Sequence, residues 1–225
     1  GENIFDLFYM FIIPMSFCLI FGYIFSSYFH IEEDIRNREA FALVSIAWII
    51  MVLVGAFPYY AAENFSLMSY QIGIAGAIFE SMSGLTTTGA TILEITDDNQ
   101  IIHSKQYSEG YFDAPKSLLL WRSQTQWLGG MGIIVLAIAI LPLLGIGGMQ
   151  LFAAEAPGPS ADKLHPRITD TAKRLWLIYF GYTAAETIFL KLAGLSFFDA
   201  LNHAMSTLST GGFSTKNDSI AHWND

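Results

Sequence analysis

Polar and apolar positions along this chain alternate in blocks, not residue by residue. No Asp, Glu, Lys or Arg occurs from Leu7 to Ile31, from Ala40 to Ala62 or from Ser123 to Ala154. A helix needs roughly 20 apolar residues to cross a bilayer, so each block is long enough for a spanning helix. The first block has no basic flank before it and no small-residue cleavage site after it, and reads as a retained helix rather than a secretory signal. A charged hinge, "HIEEDIRNREA", leads to a helix expected from about Phe41 to Tyr60. The next apolar run, Ile72 to Phe79, is too short to span, and it leads directly into "SGLTTTGAT", Ser83 to Thr91. Beyond an acidic loop from Glu94 to Lys116, a long helix is predicted from Ser117 to about Leu141, where Pro142 and "LGIGG" end or bend it.

The remainder repeats this plan. Setting Gly89 against Gly212, an offset of 123 residues, aligns "MSGLTTTGAT" (Met82 to Thr91) with "MSTLSTGGFS" (Met205 to Ser214), with identity at Met82/Met205, Ser83/Ser206, Leu85/Leu208, Thr87/Thr210 and Gly89/Gly212. Each copy follows a short apolar run, "IGIAGAIFE" in one and "LSFFDALNHA" in the other. The unit is a helix, a short half-helix, a Thr/Gly segment and a returning helix. Internal repeats in membrane proteins commonly build a site between copies.

Composition sharpens the picture. Charged residues make up 14% of the 225, against about 25% in soluble domains, which points to lipid. Cys18 is the single cysteine, so no internal disulfide forms; inside the first span it reads as a small packed residue. A net charge of -9 argues against nucleic acid and leaves cations open. No histidine has metal-ligand spacing, and the chain carries no GxSxG, HExxH or paired intramembrane carboxylates, so a membrane-embedded enzyme is disfavoured.

A threonine- and glycine-rich segment is a poor helix and a poor core strand. Non-helical backbone is tolerated at membrane depth only where it is buried in protein or lines a water-filled path. A half-helix followed by such a segment directs carbonyl and hydroxyl oxygens toward an axis, where they can replace the hydration shell of a monovalent cation. The negative end of the half-helix dipole favours a cation there. In a single copy these residues would ordinarily be a turn or a helix cap; the second copy at a matched position reverses that preference.

Outside the two segments, Glu80 ends the first half-helix and Arg122 starts the returning helix. Charge at such depth is expensive, so the two either pair and brace the Thr/Gly segment from behind or each reach water. Glu186 is a weaker candidate for a buried role, and His203 reads as a packed or hydrogen-bonded residue. The glycine pairs at Gly129 and Gly147 read as close helix packing.

"ESMSGLTTTGAT", "QWLGGMGIIVLAIAILPLLGIGGMQL", "EAPGP" and "STGGFST", in this order, resemble the TrkH subunits of bacterial potassium uptake systems, within the Trk/Ktr/HKT superfamily. The resemblance implies an all-α integral membrane fold of repeated helix, re-entrant half-helix, filter loop and helix around a pseudo-fourfold pore. Residues 1–36 would be an N-terminal transmembrane helix and hinge, 37–150 the first pore repeat, 151–170 a cytoplasmic linker and 171–225 a second repeat ending after its filter; the chain is therefore expected to be part of a longer protein. The implied potassium-binding filter consists of Thr87, Thr88, Gly89, Ala90 and Thr91 with Thr210, Gly211, Gly212, Phe213 and Ser214. Glycine rather than serine at position 89 is associated with potassium in the superfamily, with a sodium-permeable member as the alternative. The resemblance further implies a multi-pass protein of the bacterial inner membrane, surrounded by lipid. It also implies no cofactor, potassium as substrate, a homodimer and association with a cytosolic nucleotide-binding regulatory subunit of the TrkA type. Basic residues are modestly enriched in the segments this orientation places in the cytoplasm. The acidic loop after Glu94 either raises local cation concentration or is an ordinary solvated loop.

Overall fold

The computed structural model describes residues 4–28, 37–65, 67–68, 71–93, 114–143, 164–216 and 218–223. Six α-helices account for most of them: α1 (Ile4–Tyr28), α2 (Asn37–Asn64), α3 (Gly73–Leu85), α4 (Lys116–Leu143), α5 (Leu164–Leu192) and α6 (Phe197–Leu208), followed by a short 3₁₀ turn, Ser219–Trp223. No strand element occurs among the described residues, and the fold is that of an all-α membrane protein. Both α1 and α2 are long and apolar enough to cross a bilayer, over Tyr9–Tyr28 and Phe41–Asn64. At 1.5 Å per residue, the 13 residues of α3 and the 12 of α6 rise only about 20 Å, short of the roughly 30 Å hydrocarbon layer.

Large apolar side chains face outward on the long helices, including Leu19 at 64% exposed, Leu177 at 74% and Phe189 at 69%. Such exposure would be an aggregation liability in water and is the lipid contact expected of spanning helices. Cys18 is exposed on α1, not packed inside, because α1 buries only a small part of its surface against α2. Helix α5 begins at Leu164, within the polar segment that composition alone assigns to a linker. The acidic loop carrying Glu94, Asp97, Asp98, Glu109 and Asp113, and the segment with Gly147 and "EAPGP", lie outside the described residues.

The apolar core joins Met10 of α1, Ala56 and Tyr59 of α2, Ala77 of α3, and Leu118 and Leu119 of α4. Pro58 lies inside α2, where proline removes a helix hydrogen bond and bends the axis. Two carbonyls in the turns before it are used by neighbours: Ser81 of α3 donates its hydroxyl to Val52 at 2.8 Å, and Trp121 of α4 donates its indole N–H to Gly55 at 3.1 Å. Helix α4 packs on α2, α3, α5 and α6, and so stands between the two repeats. Trp127 fastens it to α5 by donating to Thr183 Oγ1 at 2.9 Å and by stacking on Tyr179. Gly129 permits close approach to the end of α3, since a Cβ there would run into the Leu85 carbonyl.

The two short helices start differently. Ser196 caps α6: its Oγ accepts the Asp199 N–H at 3.1 Å, satisfying a first-turn donor, and donates to Asp199 Oδ2 at 2.6 Å. Helix α3 has no side-chain cap of its own. Instead the Glu63 carboxylate, from the end of α2, accepts the N–H groups of Ile72 and Gly73 at 3.2 and 2.8 Å, with its charge at the positive end of the helix dipole.

Candidate functional site

The two Thr/Gly segments leave their half-helices along the same path. Thr87 and Thr210 have φ of 54° and 55°, and Gly89 and Gly212 have φ of 77° and 80°. Left-handed backbone is accessible to glycine but a genuine outlier for a β-branched residue, costing roughly 1–3 kcal/mol. Two such threonines 123 positions apart therefore mark a conformation held by its surroundings. The local bonds repeat as well. Thr87 N–H donates to Gly84 O at 2.9 Å and Thr88 N–H to Ser83 O at 2.9 Å; Thr210 N–H donates to Thr207 O at 2.8 Å and Gly211 N–H to Ser206 O at 2.9 Å. In a planar trans peptide the N–H and C=O point in opposite directions. The Thr88 and Gly211 N–H groups turn back to their half-helices, so the Thr87 and Thr210 carbonyls point away from them.

The correspondence extends to the braces behind the segments. Glu80 Oε1 accepts the Thr91 hydroxyl and the Ile92 N–H, both at 2.7 Å. At the matching positions, His203 Nε2 lies 3.1 Å from Ser214 Oγ. His203 Nδ1 faces the Asp199 carbonyl at 2.8 Å, an acceptor only, so Nδ1 is the donor of that bond. Next, Thr91 Oγ1 accepts the Leu93 N–H at 3.1 Å and Ser214 Oγ the Lys216 N–H at 3.1 Å. Trp223 meets the His203 ring edge-on at 5.1 Å.

Arg122 lies 3.4 Å from Glu80 through Nε, with both side chains at most 1% exposed, and donates from Nη2 to Thr91 Oγ1 at 2.9 Å. Its guanidinium also covers the Phe213 ring at 4.1 Å from the centroid, within cation–π range. One arginine thereby touches both segments. The pair sits behind Thr91 rather than reaching water separately, since Arg122 is 1% and Glu80 0% exposed.

The structure brings Thr87, Thr88, Gly89, Ala90 and Thr91 into one strip beyond α3, and Thr210, Gly211, Gly212, Phe213 and Ser214 into its counterpart beyond α6. The strips approach closely: a Cβ on Gly89 would collide with the Gly211 carbonyl oxygen. Ala90 departs from a wholly axial arrangement, since its carbonyl accepts the Ser83 hydroxyl at 2.5 Å. Glu186 on α5 is half-buried.

Two residues that the sequence did not single out belong to this site. Asp199 Oδ1 accepts the Thr215 hydroxyl at 2.6 Å, tying the segment after Ser214 to the first turn of α6; the Ser196-x-x-Asp199 spacing was the available signal. Gln126, fully buried on α4, accepts the Phe213 N–H on Oε1 at 3.2 Å. Its signal was a polar residue one turn after Arg122, in a helix whose other charge is Lys116 at its first position.

Comparison with known proteins shows the family. A family model described as the TrkH cation transport protein matches residues 9–225. The chain is 45% identical over 193 residues to the Trk system potassium uptake protein TrkH of Salmonella typhimurium, covering 85% of this chain and 36% of that protein. It is 43% identical over 195 residues to the TrkH of Halomonas elongata, covering 86% and 36%. The crystal structure of the potassium transporter TrkH from Vibrio parahaemolyticus superposes with a TM-score of 0.72 at 34% identity, over 97% of this chain and 40% of that one. The chain thus spans little more than a third of the length of the curated relatives it matches. With a family match over residues 9–225 and the duplicated half-helix geometry in place, the chain belongs to the TrkH family of cation transport proteins.

Proposed function

We propose that this chain supplies two of the oxygen-lined segments of a potassium uptake pore, with Thr87–Thr91 and Thr210–Ser214 coordinating the dehydrated ion. The observation that carries this reading is the pairing of left-handed residues at 87/210 and 89/212, which aims equivalent carbonyls away from their half-helices in both repeats. Oxygens so placed substitute for water around a monovalent cation, and the C-terminal ends of α3 and α6 add negative dipole. The relatives named as potassium uptake proteins and as a potassium transporter support potassium as the ion.

In this reading the full-length protein sits in the bacterial inner membrane as a multi-pass homodimer, takes potassium inward down the membrane potential, and is gated by a cytosolic nucleotide-binding subunit of the TrkA type. It performs no covalent chemistry. Ala90 contributes through its neighbours, its own carbonyl being held by Ser83.

The test compares growth at limiting potassium in cells lacking their own uptake systems, supplied with the full-length protein or its Gly89→Ser variant. Rescue by the unaltered protein, with failure or a shift toward sodium in the variant, is expected. Equal rescue by both would reduce Gly89 to a packing residue and remove the filter assignment.

A further inference from the structure

Gln126 stands on α4 between the two Thr/Gly segments, in contact with the second and near the first. Its side chain is fully buried, uncommon for glutamine, and its orientation is fixed because only the carbonyl oxygen can receive the Phe213 N–H, at 3.2 Å. The amide lies against Gly211: a Cβ at that position would stand 2.5 Å from Gln126 Oε1 and 2.6 Å from Nε2. The same Nε2 would be 3.8 Å from a Cβ on Gly89. Nε2 itself makes no hydrogen bond among the described residues. A buried donor left unmatched is rare in folded proteins and calls for an explanation. The bond to Phe213 uses only the carbonyl half of the amide, so backbone anchoring alone leaves the buried Nε2 unexplained.

We propose that Gln126 is a positioning residue for ion selectivity, a strut from the first repeat that fixes the second segment's backbone and its distance from Gly89. This rests on the reading of residues 87–91 and 210–214 as ion-coordinating. The peptide joining Gly212 to Phe213 is trans, so pinning its N–H to Gln126 turns the Gly212 carbonyl the opposite way, away from α4. Without the acceptor this peptide is free to rotate, and the oxygen field at the axis changes. Selectivity among monovalent cations depends on the number and placement of such oxygens. Contact with Gly211 on one side and proximity to Gly89 on the other make the amide a spacer as well as an anchor. Arg122, one turn earlier, reaches the same two segments at Thr91 and Phe213. The two residues form a cross-repeat ladder on one face of α4.

The test uses the full-length protein reconstituted in liposomes, with potassium and sodium uptake measured over a range of concentrations and protein amount and thermal melting followed in parallel. Gln126→Met keeps length and removes the acceptor; Gln126→Glu keeps the acceptor and removes the unmatched donor, its charge lying one turn from Arg122. Gln126→Met is expected to lower the preference for potassium over sodium about tenfold, the effect of one lost hydrogen bond, through KM for potassium more than maximal rate. Gln126→Glu is expected to retain more of the preference for potassium over sodium than Gln126→Met does, because it keeps the acceptor, while its buried carboxylate lowers the melting temperature. Should Gln126→Met not accumulate, Gln126→Asn, which withdraws the acceptor by one methylene, takes its place with the same expectation. Unchanged preference in Gln126→Met alongside a shifted preference in Gly89→Ser would overturn the strut and leave the filter standing. Loss of preference in Gln126→Glu equal to that in Gln126→Met would also overturn it. No shift in any variant, Gly89→Ser included, would defeat the filter reading itself.

Discussion

The segments after α3 and α6 share a backbone and differ in what stands behind it. Both put a threonine and a glycine in left-handed conformation at matching positions, and both hold a hydroxyl, on Thr91 or Ser214, against a side chain eleven residues earlier. That side chain is a carboxylate in the first repeat and an imidazole in the second. The shared requirement is therefore a hydrogen-bond partner for the hydroxyl at this position, met by a carboxylate in one repeat and an imidazole in the other. A carboxylate at full burial must be compensated, and Arg122 does so in the first repeat. In the second repeat the His203 ring is held by the Asp199 carbonyl and by Trp223.

The largest separation between the two braces should come from removing Arg122. Arg122→Met strands the Glu80 carboxylate in a site with 0% exposure, and breaking one side of a buried ion pair costs about 3–5 kcal/mol. His203→Phe removes one hydrogen bond to Ser214 and should cost about 1 kcal/mol. Thermal melting of the full-length protein in detergent would rank them. The double change Glu80→Gln with Arg122→Met should recover most of the loss, because no charge is then left buried alone. Equal losses for Arg122→Met and His203→Phe would show that charge compensation does not distinguish the two repeats.

The two glycines give a smaller contrast. Both have positive φ, so alanine at either position meets the left-handed penalty of about 1 kcal/mol. At Gly89 the added methyl also strikes the Gly211 carbonyl, whereas at Gly212 no described atom lies within 4 Å. Gly89→Ala is expected to lose about 2 kcal/mol or more, counting the strain as well as the clash, and to reduce potassium uptake accordingly; Gly212→Ala should fall nearer 1 kcal/mol. Melting and initial uptake rates on the same preparations check this. A larger effect at Gly212 would mean that the spacing between the strips is not what Gly89 protects.

How much of this was legible in the sequence follows from the range of each interaction. The spanning helices and the half-helices were readable because length and charge-free composition are local properties. The repeat was readable because two of its five identities, Thr87/Thr210 and Gly89/Gly212, fall on the turn that demands them, and the other three lie in the half-helix just before it. Glu80 and Arg122 stood out as charges in apolar surroundings. Gln126 did not, because its role depends on α4 passing between segments whose contact with it bridges 87 positions. The Ala90 carbonyl was misleading for the opposite reason: its partner Ser83 is only seven residues away, but which carbonyl a serine hydroxyl meets is set by the turn and not by composition. Likewise, Cys18 was expected to be packed, yet whether a face of α1 meets protein or lipid cannot be read from a helix apolar on every side.

The smallest contrast concerns the paired serines inside the half-helices. Ser83 Oγ crosses to the Ala90 carbonyl at 2.5 Å, while Ser206 Oγ, at the matching position, bonds back to His203 O within its own helix at 3.2 Å. Ser83→Ala removes the donor that holds the Ala90 carbonyl, a loss of about 1 kcal/mol, and frees that peptide to turn. Ser206→Ala removes only a local back-bond, worth a few tenths of a kcal/mol or less, and leaves Phe213 held by Gln126. A change in potassium-over-sodium preference is therefore expected for Ser83→Ala and not for Ser206→Ala, with melting temperatures close to the unaltered protein in both. Equal changes in preference would mean that the hydroxyls act alike in the two repeats. In that case the distinct anchoring of positions 90 and 213, by a serine of the same half-helix in one and by a glutamine of another helix in the other, would have no consequence for the ion.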